Sequence, residues 1–259
     1  MEFYIHFRSF GQNDLMNKPV RRLAIWCLSL LIMLCSIRSV AQLSTPPVQA
    51  SPAPIVAPVH QPPPFWSEIA EFKHQDSLQH PPSGAILFIG SSSFRKWTNV
   101  QSYFPGYQII NRGFGGSSFP DLIRYAGDII FPYHPRQIVI YCGDNDLAAS
   151  DSVTATVVYN RFVRLYNLIR SKLKDVDIVY VSIKPSPSRL KLMPKMEEAN
   201  DMIRNFMASY SHATFVDVYH AMLTPQGQPM DDLFVGDKLH MNEKGYKIWQ
   251  QIIQPYLDK

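Results

Sequence analysis

Four short groups of residues hold the side chains and backbone amides that acyl transfer requires: Gly90-Ser91-Ser92-Ser93, Gly113-Phe114-Gly115-Gly116, Gly143-Asp144-Asn145-Asp146 and Asp237-Lys238-Leu239-His240. A hydroxyl attacks a carbonyl efficiently when a base takes its proton, a carboxylate orients that base, and donors meet the oxyanion that develops. Serine, histidine, aspartate, glycine N–H and asparagine amide are all present, and together they are the parts of a serine esterase. Taken singly, none is specific. Serines after a strand also suit a turn or a helix cap, glycines a tight turn, and Asp or Asn a bond to a nearby turn amide.

Asp237 and His240 are three residues apart, so one turn can bring the carboxylate to the imidazole Nδ1–H while Nε2 faces a serine. Gly116 closes a glycine-dense stretch where missing side chains let backbone N–H groups approach a ligand, and Asn145 offers an uncharged amide. His220 is a competing base, ranked below His240 on the reading that no carboxylate lies at an equally convenient spacing. His60, His74 and His80 read as surface residues. No spacing such as His-Glu-x-x-His is present, so neither a metal nor another cofactor is expected. Cys142 is a rival nucleophile without a basic neighbour in sequence and is assigned to packing.

These groups need a scaffold. The apolar runs 85–89, 107–110, 137–141, 177–181 and 213–216 read as five strands, and the first three groups fall at or just beyond the ends of the first three runs. Between and after the strands the period becomes helical: Val157 to Leu173 behind Ser152 as N-cap, Met196 to Met207, and Tyr246 to Tyr256 behind Asn242. Alternating strands and helices predict an α/β fold, a three-layer α/β/α sandwich around a parallel sheet of about five strands, whose sites form at the carboxyl ends of the strands.

The chain has 259 residues and is 46% hydrophobic, enough for one sizeable core. Lys18, Arg21 and Arg22 precede an apolar run from Leu23 to Leu34 and then Ser39-Val40-Ala41, the layout of a secretory signal, with cleavage expected after Ala41 and Met16 as an alternative start. Residues 1–41 are therefore expected to be a signal peptide, 42–64 a Pro-rich spacer and 65–259 the globular domain. The run is short for a membrane span, so an uncleaved signal would be the only anchor. Beyond the signal Cys142 is the only cysteine, which leaves no intramolecular disulfide, and the net charge falls from +4 to near +1 with no basic stripe, so nucleic acid is not expected as a partner.

On these residues the chain resembles the SGNH hydrolase (GDSL esterase/lipase) superfamily, whose four blocks carry Ser, Gly, Asn and His in this order; the likeness spans 84–258. Phe88-Ile89-Gly90-Ser91-Ser92-Ser93 is similar to the first block, with Ser92 at the nucleophile position and Ser91 where the family name has aspartate. Serine there is similar to the subgroup related to platelet-activating-factor acetylhydrolase. Asn111 to Gly116, Tyr141 to Asp146, and Asp237 to Asn242 followed by Gly245-Tyr246 are similar to the other three. The resemblance implies a flavodoxin-like fold and hydrolysis of carboxylic esters. In it Ser92 attacks, His240 takes its proton, Asp237 orients the imidazole, and Ser92 N–H, Gly116 N–H and the Asn145 amide hold the oxyanion. The expected substrate is a small-molecule or carbohydrate ester, foremost an O-acetylated carbohydrate, with Trp97, Tyr103, Phe104 and Phe119 as candidate sugar-stacking rings. The alternatives are a lipase or lysophospholipase, or a non-catalytic carbohydrate-binding module on the same fold.

Overall fold

Strands that are apolar on both faces need cover on both faces, and the layers follow from this. The computed structural model describes residues 62–259; the expected signal and all but the last three residues of the expected spacer lie outside the described residues. The five runs become β1 (Ile86–Gly90), β2 (Ile109–Gly113), β3 (Gln137–Tyr141), β4 (Asp177–Val181) and β5 (Ala213–Val216). They form one all-parallel sheet in the order β2-β1-β3-β4-β5. β2 lies two residues further along the chain than expected, because its register pairs Ile86 with Ile109 and Gly90 with Gly113.

The helices, in chain order, are α1 (Trp66–Leu78), α2 (Ser92–Arg95), α3 (Val100–Tyr103), α4 (Phe119–Arg124), α5 (Ala126–Ile129), α6 (Asp144–Ala148), α7 (Ala155–Lys172), α8 (Met193–Met207) and α9 (Glu243–Ile253). Strand side chains alternate between two cores. Leu87, Ile89, Ile138, Ile140 and Tyr180 pack with α1, α4, α5, α7 and α8, while Ile86, Phe88, Val139, Tyr141 and Val179 pack with α2, α3 and α9. The predicted three-layer sandwich is the fold observed.

Asn242 caps α9 as expected, accepting the Lys244 and Gly245 N–H groups. The cap of α7 is Thr154 rather than Ser152: the Thr154 hydroxyl accepts the Val157 N–H at 3.3 Å, and Ser152 lies in the preceding turn. The rings proposed for sugar stacking are mostly core. Trp97, Phe104 and Phe119 are fully buried, since their positions face α9, β1 and α7 respectively; Tyr103 alone of the four is partly exposed.

Candidate active site

β1 ends at Gly90, whose φ of 148° lies in the glycine-favouring range and where a Cβ would sit 1.9 Å from the Tyr141 carbonyl oxygen of β3. That close approach lets the chain bend over the sheet edge. Ser91 N–H still bonds the Tyr141 carbonyl at 3.0 Å, and Ser92 opens α2. The N–H of Ser92, first in that helix, has no intrahelical partner. Ser91 and Ser93 are buried, whereas Ser92 is partly exposed, so one serine of the three is presented at the surface.

The base comes from a tight loop. Phe234 and Met241 form an antiparallel bridge that closes its base, and Lys238 takes the left-handed conformation (φ 56°) that turns the chain back. Asp237 Oδ1 accepts the N–H groups of Leu239 (3.0 Å) and His240 (2.9 Å), while Oδ2 lies 2.6 Å from His240 Nδ1. His240 Nε2 lies 2.9 Å from Ser92 Oγ. With Asp237 holding Nδ1, the tautomer that leaves Nε2 free to accept the serine proton is the one selected. Desolvation pushes the Asp237 carboxyl up, but the hydrogen bonds from His240 and the Leu239 amide outweigh it and hold the group well below the ordinary carboxylate range.

Gly116 and Asn145, the residues expected to donate, lie just beyond β2 and β3. Phe114 N–H and the Ser117 hydroxyl both donate to the Gly90 carbonyl, at 3.0 and 3.1 Å, tying the glycine loop to the end of β1. Within it Gly116 has φ 79° and its N–H has no acceptor among the described residues. The Asn145 amide donates to the Ser117 carbonyl at 3.1 Å, which sets it one residue from Gly116. The structure thus brings Ser92, Asp237, His240, Gly116 and Asn145 to one edge of the sheet, an arrangement able to move a proton from hydroxyl to imidazole and to receive negative charge on neutral N–H groups.

Residues 79–248 match the GDSL-like Lipase/Acylhydrolase family. The chain belongs to that family. As a GDSL-like acylhydrolase it is an ester-hydrolysing enzyme. No curated protein sequence matches it. Similar solved structures share its fold. One is a Streptococcus pneumonia protein provisionally named for platelet activating factor (20% identity, TM-score 0.66, covering 74% of this chain and 92% of the other). Another is a GDSL-like lipase from Bacteroides thetaiotaomicron (19%, 0.62, 73% and 96%). A third is a Geobacillus acetyl-xylooligosaccharide esterase (15%, 0.55, 68% and 94%).

Two expectations change in this acylhydrolase, those for His220 and Asp146, while the packing role expected of Cys142 holds. His220 does have a carboxylate at the convenient spacing: Asp217, three residues earlier, lies 2.8 Å from its Nδ1 and also accepts its backbone N–H, repeating the local geometry of Asp237 and His240. His220 differs in what it faces. Among the described residues its side chain bonds only Asp217, itself paired with Arg204, and no serine. Cys142 is fully buried, and burial pushes its thiol well above the usual range, as a packing role requires. Asp146 binds across elements, not within its own turn: it accepts Phe119 N–H at the start of α4 and pairs with Arg161 of α7 at 2.8 Å, while burial raises its carboxyl to about 6.

Sequence reading passed over a buried charge group behind Asn145. Asp144 pairs with Arg189 at 3.0 Å and lies 3.9 Å from the fully buried Lys184, whose ammonium is lowered to about 8 by desolvation. The available signal was two basic residues in Lys184-Pro185-Ser186-Pro187-Ser188-Arg189, just beyond the carboxyl end of β4.

Proposed function

We propose that this acylhydrolase is an exported serine esterase that removes short acyl groups, acetyl above all, from O-acetylated carbohydrate. The observation that carries the reading is the continuous relay from Asp237 Oδ2 to His240 (2.6 Å) and from His240 to Ser92 Oγ (2.9 Å). Ser92 attacks the ester carbonyl as His240 takes its proton. The oxyanion is met by the N–H groups of Ser92 and Gly116 and by the Asn145 amide. His240 returns the proton to the leaving alcohol, and water, activated by the same imidazole, releases the acid from the acyl-enzyme.

A short acyl group is supported by the surface. Of the exposed large apolar residues among those described, Leu190 and Val235 lie on segments carrying the site and Trp66 on the helix that braces the glycine loop, too few and too scattered for a broad lipid-accepting mouth. A sugar alcohol is supported by a polar groove of about 580 Å³, lined by Asn99, Ser102, Tyr103, Asn242, Glu243 and Lys247 among others, which starts beside His240 in the chain and includes neither His240 nor Ser92. The acetyl-xylooligosaccharide esterase among the similar folds points the same way. Export is supported by the apolar run from Leu23 to Leu34 behind Lys18, Arg21 and Arg22.

The test is hydrolysis of p-nitrophenyl acetate and octanoate by wild type and Ser92→Ala. Acetate is expected to be preferred, Ser92→Ala to be almost inactive, and a fluorophosphonate to label wild type alone. Retention of wild-type rates by Ser92→Ala would overturn the mechanism; preference for octanoate would overturn the acyl assignment.

A further inference from the structure

An asparagine amide serves an oxyanion only if its nitrogen, not its oxygen, faces the reacting atom. Around Asn145 the choice is made by two neighbours of fixed polarity. Arg189 Nη2 lies 2.9 Å from Asn145 Oδ1, and the Ser117 carbonyl oxygen lies 3.1 Å from Nδ2. A guanidinium can only donate and a carbonyl can only accept, so a flipped amide would set donor against donor and acceptor against acceptor. One Nδ2–H is thereby committed to Ser117, and the other remains for a ligand.

Arg189 is itself held in place. Its Nη1 makes an ion-pair contact of 3.0 Å with Asp144, the residue before Asn145, and its side chain is largely buried. The preceding residue, Ser188, donates its backbone N–H to the Lys238 carbonyl at 3.0 Å, inside the Asp237–His240 loop. The turn carrying Arg189 therefore touches both halves of the site.

We infer that Arg189 is a positioning residue for the oxyanion amide. Its Nη2–H fixes which end of Asn145 faces the substrate, draws electron density from Oδ1 so that Nδ2–H donates more strongly, and sets a cation one amide away from the developing negative charge. A lysine would be a poor replacement, because its compact charge cannot both pair with Asp144 and reach Asn145 Oδ1 with a donor on a separate nitrogen. This inference rests on the reading of Asn145 as an oxyanion donor.

A double-mutant cycle on the full chain tests it, with kcat and KM for p-nitrophenyl acetate measured for wild type, Arg189→Met, Asn145→Ala and the pair. Arg189→Met is expected to lower kcat about 10-fold with KM within about 2-fold, less than the roughly 10²- to 10³-fold lost when the donor itself is removed. In the Asn145→Ala background the same change is expected to cost less than about 2-fold, since there is no amide left to position. Arg189→Lys keeps the positive charge beside Asp144 and is expected to fold and still lose most of the Arg189 contribution to kcat, which covers the case in which Arg189→Met does not fold. Equal losses in both backgrounds, a loss confined to KM, or full activity in Arg189→Lys would overturn the inference while leaving the oxyanion reading intact. Wild-type kcat in Asn145→Ala would overturn both.

Discussion

Two N–H groups converge on Asp237 Oδ1 and one imidazole on Oδ2; an asparagine amide oxygen can still accept the first two, but its NH2 group would set a donor against His240 Nδ1–H. Asp237→Asn is therefore expected to leave the loop nearly in place but to misorient His240, lowering kcat by up to about 10⁴-fold with little change in KM. Steady-state kinetics on p-nitrophenyl acetate checks this. The same residue acts on stability in acid. Its folded carboxyl lies below the unfolded value, so its contribution is present above about pH 4 and is lost as pH falls further; because the side chain is nearly half exposed, that contribution is small. Lys184 works with the opposite sign. Its folded value of about 8 lies below the ordinary lysine value, so the cost of burying the charged form is complete below pH 8 and is relieved as pH rises towards 10. Melting temperatures of wild type and Lys184→Met at pH 7 and 10 are expected to shift in favour of wild type at the higher pH. The buried tyrosines, common to both chains, cancel in that difference. A difference independent of pH would show that Lys184 keeps its ordinary proton affinity.

The same site depends on where elements meet, and here the sequence was only partly legible. Gly90, Ser92, Gly116 and Asn145 could be found because each lies at or just beyond the end of an apolar run, where a parallel sheet gathers its sites. The Asp237–His240 loop was found through its spacing, its place just before the last helix and its likeness to the family's last block; spacing by itself does not separate it from Asp217–His220, whose hydrogen bonds are alike. What separates them is the long-range contact of His240 with Ser92, 148 residues away in the chain. Arg189 and Lys184 were missed for the same reason: their meaning comes from Asp144 and Asn145, on another strand end. Strand contact also fixes Gly90. Alanine there would drive a Cβ into the Tyr141 carbonyl at a backbone angle that side chains avoid, so Gly90→Ala is expected to destabilise the domain by about 3 kcal/mol and to lower its melting temperature by roughly 6–12 °C, as read by calorimetry.

At the scale of the molecule, the family match begins at residue 79, just after α1, yet α1 reaches the site. Glu68 of that helix accepts Gly115 N–H at 3.2 Å and pairs with Arg95 at 2.7 Å, Phe65 packs edge-on against Phe114 at 5.3 Å, and Asp76 binds Arg112 and Tyr133. The glycine loop is thus held by Gly90 on one side and by α1 on the other. Nothing in the helix's own sequence announced this, because its apolar positions are few and its first task is polar. Two shortened chains separate α1 from what precedes it. A chain beginning at Pro62 keeps every contact described here and is expected to retain the kcat of the full chain within about 2-fold. A chain beginning at His80 loses Glu68, Phe65 and Asp76 together; it is expected to lose stability through the uncovered apolar faces of Phe114 and Tyr125, and to lose kcat through a freed Gly115–Gly116 segment. Glu68→Gln separates the two effects: the amide can still accept the Gly115 N–H but no longer pairs with Arg95 as an ion, so a fall in kcat of a few-fold with an unchanged melting temperature is expected. Equal activity of the chains beginning at Pro62 and His80 would show that Gly90 alone sets the loop.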